Sequence, residues 1–142
     1  ENFPKGSFIT WSQEVIKEFG DNYYEEAMYC LGILLAGGAY HDINHWLHHE
    51  IMEIIEFFDC SDMEKGFEYA VAELSCRVTC RKADEGGLKE RKLAFELERY
   101  VQGLNDSHFS RTISILKKII ETVKRNAEFH DRHALVTKIS VQ

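Results

Sequence analysis

The chain has 142 residues and a mass of 16.5 kDa, which is one domain's worth of protein. With 44% hydrophobic, 12% aromatic and 29% charged residues, it is not a disordered tail, a collagen-like fibre or a membrane-embedded chain. The net charge of −7 is unevenly divided: residues 1–75 carry 15 acidic and 3 basic groups (net −12), and residues 76–142 carry 9 acidic and 14 basic groups (net +5). A negative first half repels phosphate, so general nucleic-acid binding is disfavoured. Two readings follow from the split. Either the halves pack together and neutralise each other, or the acidic half presents a surface to a basic partner protein.

The only proline is Pro4, strand alternation is nearly absent, and apolar residues recur at steps of three and four. That pattern predicts helices throughout. Thr10 with Gln13 is a capping box for a first helix ending at Gly20. Asn22 with Glu25 opens a second, through Leu31, Leu34 and Leu35, that stops at Gly37–Gly38. Asp42 caps a third that runs to about Phe58. Ser61 with Glu64 opens a fourth, with Met63, Phe67, Ala70, Val71, Leu74 and Val78 as its apolar face. The turn Asp84–Gly87 precedes a fifth over Leu88–Gln102. Asn105–Ser107 breaks the chain before a last, long helix from about Phe109 to Val136. The expected architecture is an all-α, single-domain bundle over 1–142, with about six helices and short connections.

The uncharged stretch Ala27–Tyr40 is shorter than the ~18 residues a membrane span needs. No signal peptide is evident. Cys30, Cys60, Cys76 and Cys80 form no Cys-x-x-Cys pair and read as buried free thiols, which fits a cytoplasmic protein. Phosphate-binding glycine loops and the Gly-x-Ser-x-Gly element are missing, so no cofactor is expected. Arg77, Arg81, Lys82, Lys89, Arg91 and Lys92 interleave with Asp84, Glu85 and Glu90, and read as a solvated, ion-paired turn.

Two segments carry candidate chemistry. Four of the seven histidines lie in His41–His49. On a helical wheel His41, His45, His48 and His49 fall with Met52, Glu53 and Glu56, opposite Ile43, Leu47, Ile51, Ile54 and Phe58. His41, His45 and His49 are spaced i, i+4, which allows two imidazoles to share one zinc ion and makes a metal-binding bundle one alternative. The same face leads into the densest acidic run of the chain. His45, His49, Glu53, Glu56, Asp59 and Asp62 are therefore the expected contact for a basic protein.

The second segment is Arg125-Asn-Ala-Glu-Phe-His130. An arginine followed by a polar residue and, a few positions on, a histidine resembles the signature of HEPN-domain proteins. Those are helical bundles, many of which cut RNA without metal, usually as dimers that bring two motifs together. The resemblance implies a ribonuclease, as a homodimer, in which His130 does acid–base chemistry on a ribose 2′-hydroxyl. Arg125, beside Asn126, would stabilise charge on the phosphate.

The leading expectation is a non-enzymatic module that binds a basic protein through an acidic face. This is the profile of immunity proteins and antitoxins that neutralise a cationic toxin, often a nuclease.

Overall fold

The computed structural model describes residues 7–39, 49–77 and 85–140; for residues 7–8, 38–39, 74–77 and 137–140 the backbone alone is described. The described residues form an all-α bundle: α1 (Ser7–Phe19), a 3-10 turn (Asp21–Tyr23), α2 (Tyr24–Ala39), α3 (His49–Phe58), α4 (Ser61–Arg77), α5 (Leu88–Gln102) and α6 (Ser110–Ser140). None of these helices is long and apolar enough to cross a membrane.

The starts of α4 and α5 and the end of α5 lie where their caps and glycines place them. Thr10 does not begin α1, which starts three residues earlier, and Asn22 sits inside the 3-10 turn. α2 runs past Gly37 and Gly38 instead of stopping there. An interior glycine costs only about 1 kcal/mol relative to alanine, which the packing of the rest of the helix can offset.

One core cluster draws on α2 to α6. Phe67, Met28, Leu31, Ile54, Ile55, Met63, Leu97, Leu116, Ile119 and Val123 are all fully buried in it. Ile9 and Ile16 of α1 and Phe58 of α3 pack against its edge. α3 buries a wider arc than its expected stripe: Ile51 and Ile54 are joined by Met52 and Ile55. Met52, expected on the histidine face, is inside, and the Tyr100 hydroxyl donates to its sulfur at 3.6 Å. Cys30 is exposed and Cys60 half-buried, both as free thiols. The expectation of a buried thiol therefore fails at Cys30. Cys76 and Cys80 lie outside the described side chains.

The closest helix contact is between α2 and α4. A Cβ built on Gly32 would overlap the Met63 carbonyl oxygen and lie 2.7 Å from the Phe67 nitrogen; one built on Gly66 would overlap the Tyr29 carbonyl oxygen. Residues 29 and 32 thus meet 66 and 63, so the helices run antiparallel, backbone against backbone. Only glycine allows this separation at both positions. α5 and α6 also run antiparallel. Gly87 lies against Ala127, Glu90 faces His130, and Glu98 pairs with Lys124 at 2.8 Å.

At about 1.5 Å per residue, the 31-residue α6 spans roughly 46 Å. It packs against α3, α4 and α5 in turn. Its buried face includes Phe109, Ile113, Leu116, Ile120, Val123 and Ala127, the stripe its sequence periodicity predicts.

Gly66→Ala must push α4 off α2 and is expected to cost about 3 kcal/mol, the upper part of the overpacking range. Gly37→Ala, where an added methyl meets nothing within 4 Å, should be neutral or slightly stabilising. Urea unfolding of the two variants checks this; equal stabilities would contradict the close crossing.

Candidate functional site

Part of the acidic run on α3 and in the turn after it is engaged by the start of α6. Glu56, near the end of α3, reaches the first turn of α6. Its carboxylate accepts from the Thr112 amide at 2.8 Å, the Thr112 hydroxyl at 2.9 Å and the Arg111 amide at 3.4 Å. These amides are orphan donors of a helix N-terminus, where the helix dipole also favours negative charge. Glu56 is thus a cap supplied from 56 residues away in sequence. Arg111, in the same turn, pairs with Asp59 and with Glu64. Asp59 occupies the α3–α4 turn with φ 49°, a left-handed conformation that aspartate tolerates better than most residues. Burial raises the Glu64 carboxyl above the usual glutamate value, against the opposing pull of Lys118 and with added repulsion from Glu56.

Of the six expected partner-contact residues, Glu56 caps α6, and Asp59 pairs with Arg111 while its side chain stays 64% exposed. Asp62 lies in the first turn of α4 and holds Lys65 at 2.8 Å. His49 and Glu53 remain on the surface, 3.3 Å apart. His45 lies outside the described residues, as do His41 and His48.

The structure adds a residue that the wheel did not offer. His108, in the turn before α6, comes beside His49 and Glu53, and the three can turn one ligand atom each to within 4.8 Å of the others. An Asx turn shapes the approach: the Ser107 amide and hydroxyl donate to the Asn105 side chain at 3.1 and 2.8 Å, and the His108 amide donates to the Asn105 carbonyl at 3.1 Å. His108 is 59 residues from His49, so no local spacing reveals the pair. Its only local signal is the Asn105–Ser107 turn.

The Arg125, Asn126 and His130 element lies inside α6. The Arg125 guanidinium is exposed and donates to Thr122 Oγ1 at 3.2 Å. His130 turns toward α5, with Nε2 3.8 Å from the buried Glu90 carboxylate. Five residues of helix separate the two side chains by about 140°, so within one chain they address different surroundings. The turn before α5 is ion-paired where it is described: Lys89 with Glu85 at 3.5 Å, Arg91 with Asp131 at 2.5 Å, Lys92 with Glu96 at 4.0 Å.

A different acidic surface stays open. Glu14, Glu18, Asp21, Glu25 and Glu26, from α1, the 3-10 turn and the start of α2, are all exposed. Lys17 is the one cation in residues 7–39. Trp11, Phe19, Tyr23 and Tyr24 are exposed in the same stretch at 43–60%. A shallow groove lined by Gln13, Ile16, Lys17, Asp21, Tyr24 and Phe58 opens there.

Asp131 ties the start of α5 to α6. It accepts from Arg91 Nη1 and Nη2, at 2.5 and 3.3 Å, and from the Gly87 amide at 2.9 Å. Arg91 first, then the Gly87 amide, hold its carboxyl below the usual aspartate value. A carboxyl whose pKa falls on folding adds stability above its unfolded pKa and loses it as pH falls through the folded one. Asp131→Asn should flatten the decline in stability below about pH 4. Urea midpoints across that range check this; an unchanged acid limb would contradict the tie.

No family model matches the chain, and no curated protein or solved structure is significantly similar to it.

Proposed function

We propose that this protein is a non-enzymatic binding module whose α1–α2 surface receives a basic partner protein. One observation carries the reading. The segment from α1 to the start of α2 exposes five carboxylates and four aromatic side chains beside a single cation. The two components do different jobs. Carboxylates on an open surface steer a cationic partner and raise its association rate. Tyrosine, tryptophan and phenylalanine supply contact area with little loss of side-chain entropy, and they are the residues enriched at protein interfaces. Elsewhere several acids are engaged: Asp59 and Glu64 by Arg111, Asp62 by Lys65, Glu98 by Lys124.

The immunity protein or antitoxin is the class with this profile, an acidic helical domain that occludes a cationic toxin. Glu53, beside His49, adds one more exposed carboxylate outside α1–α2. Glu56 contributes through the helix start it holds, and Asp59 stays exposed beside Arg111. A cytoplasmic setting is part of the proposal, since the thiols of Cys30 and Cys60 suit a reducing compartment.

The test compares wild type with a Glu14→Gln, Glu18→Gln, Glu25→Gln, Glu26→Gln variant, both immobilised and exposed to a lysate of the source cells at low ionic strength. The expected outcome is a basic protein held by wild type and lost from the variant. With that partner purified, the variant's association rate should be lower and less steep in salt, at unchanged melting temperature. Capture of the same proteins at the same rate by both would overturn the reading.

A further inference from the structure

We propose that His49, Glu53 and His108 form a binding site for a borderline divalent transition metal, with zinc as the representative ion. The residue set suits such an ion. Two imidazoles and one carboxylate are three of its usual ligands, and an exposed face leaves a fourth position for water. The geometry fits as well. The ligand atoms of the three side chains lie within 4.8 Å of one another. In a tetrahedral site, bonds of about 2.0–2.2 Å put ligand atoms about 3.3 Å apart. His49 Nδ1 and Glu53 Oε1 already stand at 3.3 Å. The His108 ligand atom lies within 4.8 Å of theirs, and side-chain adjustment brings the three to that spacing.

The support beneath the cluster limits how far these side chains can stray. Both imidazoles meet the ring of Phe109 edge-on, with centroids at 5.4 Å for His49 and 4.5 Å for His108. Phe109 is itself buried, at 7% exposure. His49 and Glu53 are one turn apart on α3, and His108 sits on the turn leading into α6. An ion here would join α3 to the start of α6, on the helix pair that Glu56 already ties. Because the ligands come from two elements, binding should favour the folded chain and raise its melting temperature. The site is independent of the α1–α2 surface, so it stands or falls separately from the binding function.

The experiment is calorimetric titration of the untagged protein with zinc chloride, beside His49→Ala, His108→Ala, Glu53→Gln and the control His133→Ala, an exposed histidine elsewhere on α6. Disturbing groups around a metal costs 10–100-fold in affinity, so losing a ligand should cost at least about tenfold. The expected result is one zinc per chain in wild type and His133→Ala. Binding should weaken at least about tenfold in the other three, with circular dichroism unchanged. Zinc should also raise the melting temperature of wild type and His133→Ala but not of His108→Ala. Zinc binding that survives His108→Ala would place the ion on His41, His45 and His49 instead and overturn the proposal. No binding by wild type would overturn it too.

Discussion

A single carboxylate, that of Glu56, sits beneath the first turn of the longest helix and fixes where that helix begins. The first-turn amides of any α-helix lack intrahelical partners. At α6 this end is packed into the protein: Thr112 is 1% exposed and Phe109 7%. A buried donor without a partner costs about 1–3 kcal/mol, so something must meet these amides. Glu56 meets two of them together with the Thr112 hydroxyl, and Arg111 beside them draws in Asp59 and Glu64. With its start anchored, α6 presents its apolar face to α3 and α4, and farther along receives α5 through Asp131. The contrast between the acidic first half and the basic second half has a structural meaning at this junction. The halves do meet and neutralise, but locally, around one arginine and one helix end.

That junction divides the acids of the first half into two populations. Glu56, Asp59 and Glu64 are turned toward α6. Glu14, Glu18, Asp21, Glu25 and Glu26 face outward among exposed aromatic rings. The second group is the larger open set, with Glu50 and Glu53 of α3 exposed outside it. Lys65, raised above the usual ammonium value chiefly by its hydrogen bond to Asp62, also feels Glu25, so even this surface is tempered at the edge where it approaches α4.

The helical periods and the caps at Ser61, Gly87 and Asn105 are local features, and local features are what a sequence displays. They place α4, α5 and the buried stripe of α6 correctly. The glycine crossing was less legible: Gly32 and Gly66 look like ordinary interior glycines until two backbones are seen to share the space a methyl would fill. Gly37 and Gly38 misled in the other direction, because glycine marks a helix end only where packing does not carry the helix onward. What lies against each face of α3 was not legible, for one reason. A wheel says which residues share a side, but not what lies against that side. Met52 proved to be core, with the Tyr100 hydroxyl of α5 against its sulfur. Glu56 proved to be a cap because α6 begins beside it. The same limit hid His108, whose nearness to His49 depends on where α6 starts.

The central claim, that Glu56 of α3 holds the fold while the acids of α1 and α2 do not, is tested most directly by urea unfolding of Glu56→Gln beside Glu25→Gln. Gln keeps the size of the side chain and removes its charge. Loss of charge-assisted bonds to a helix N-terminus predicts about 1–2 kcal/mol of destabilisation for Glu56→Gln and less than about 0.5 kcal/mol for Glu25→Gln at its exposed position. Equal losses, or a Glu56→Gln variant as stable as wild type, would contradict the account.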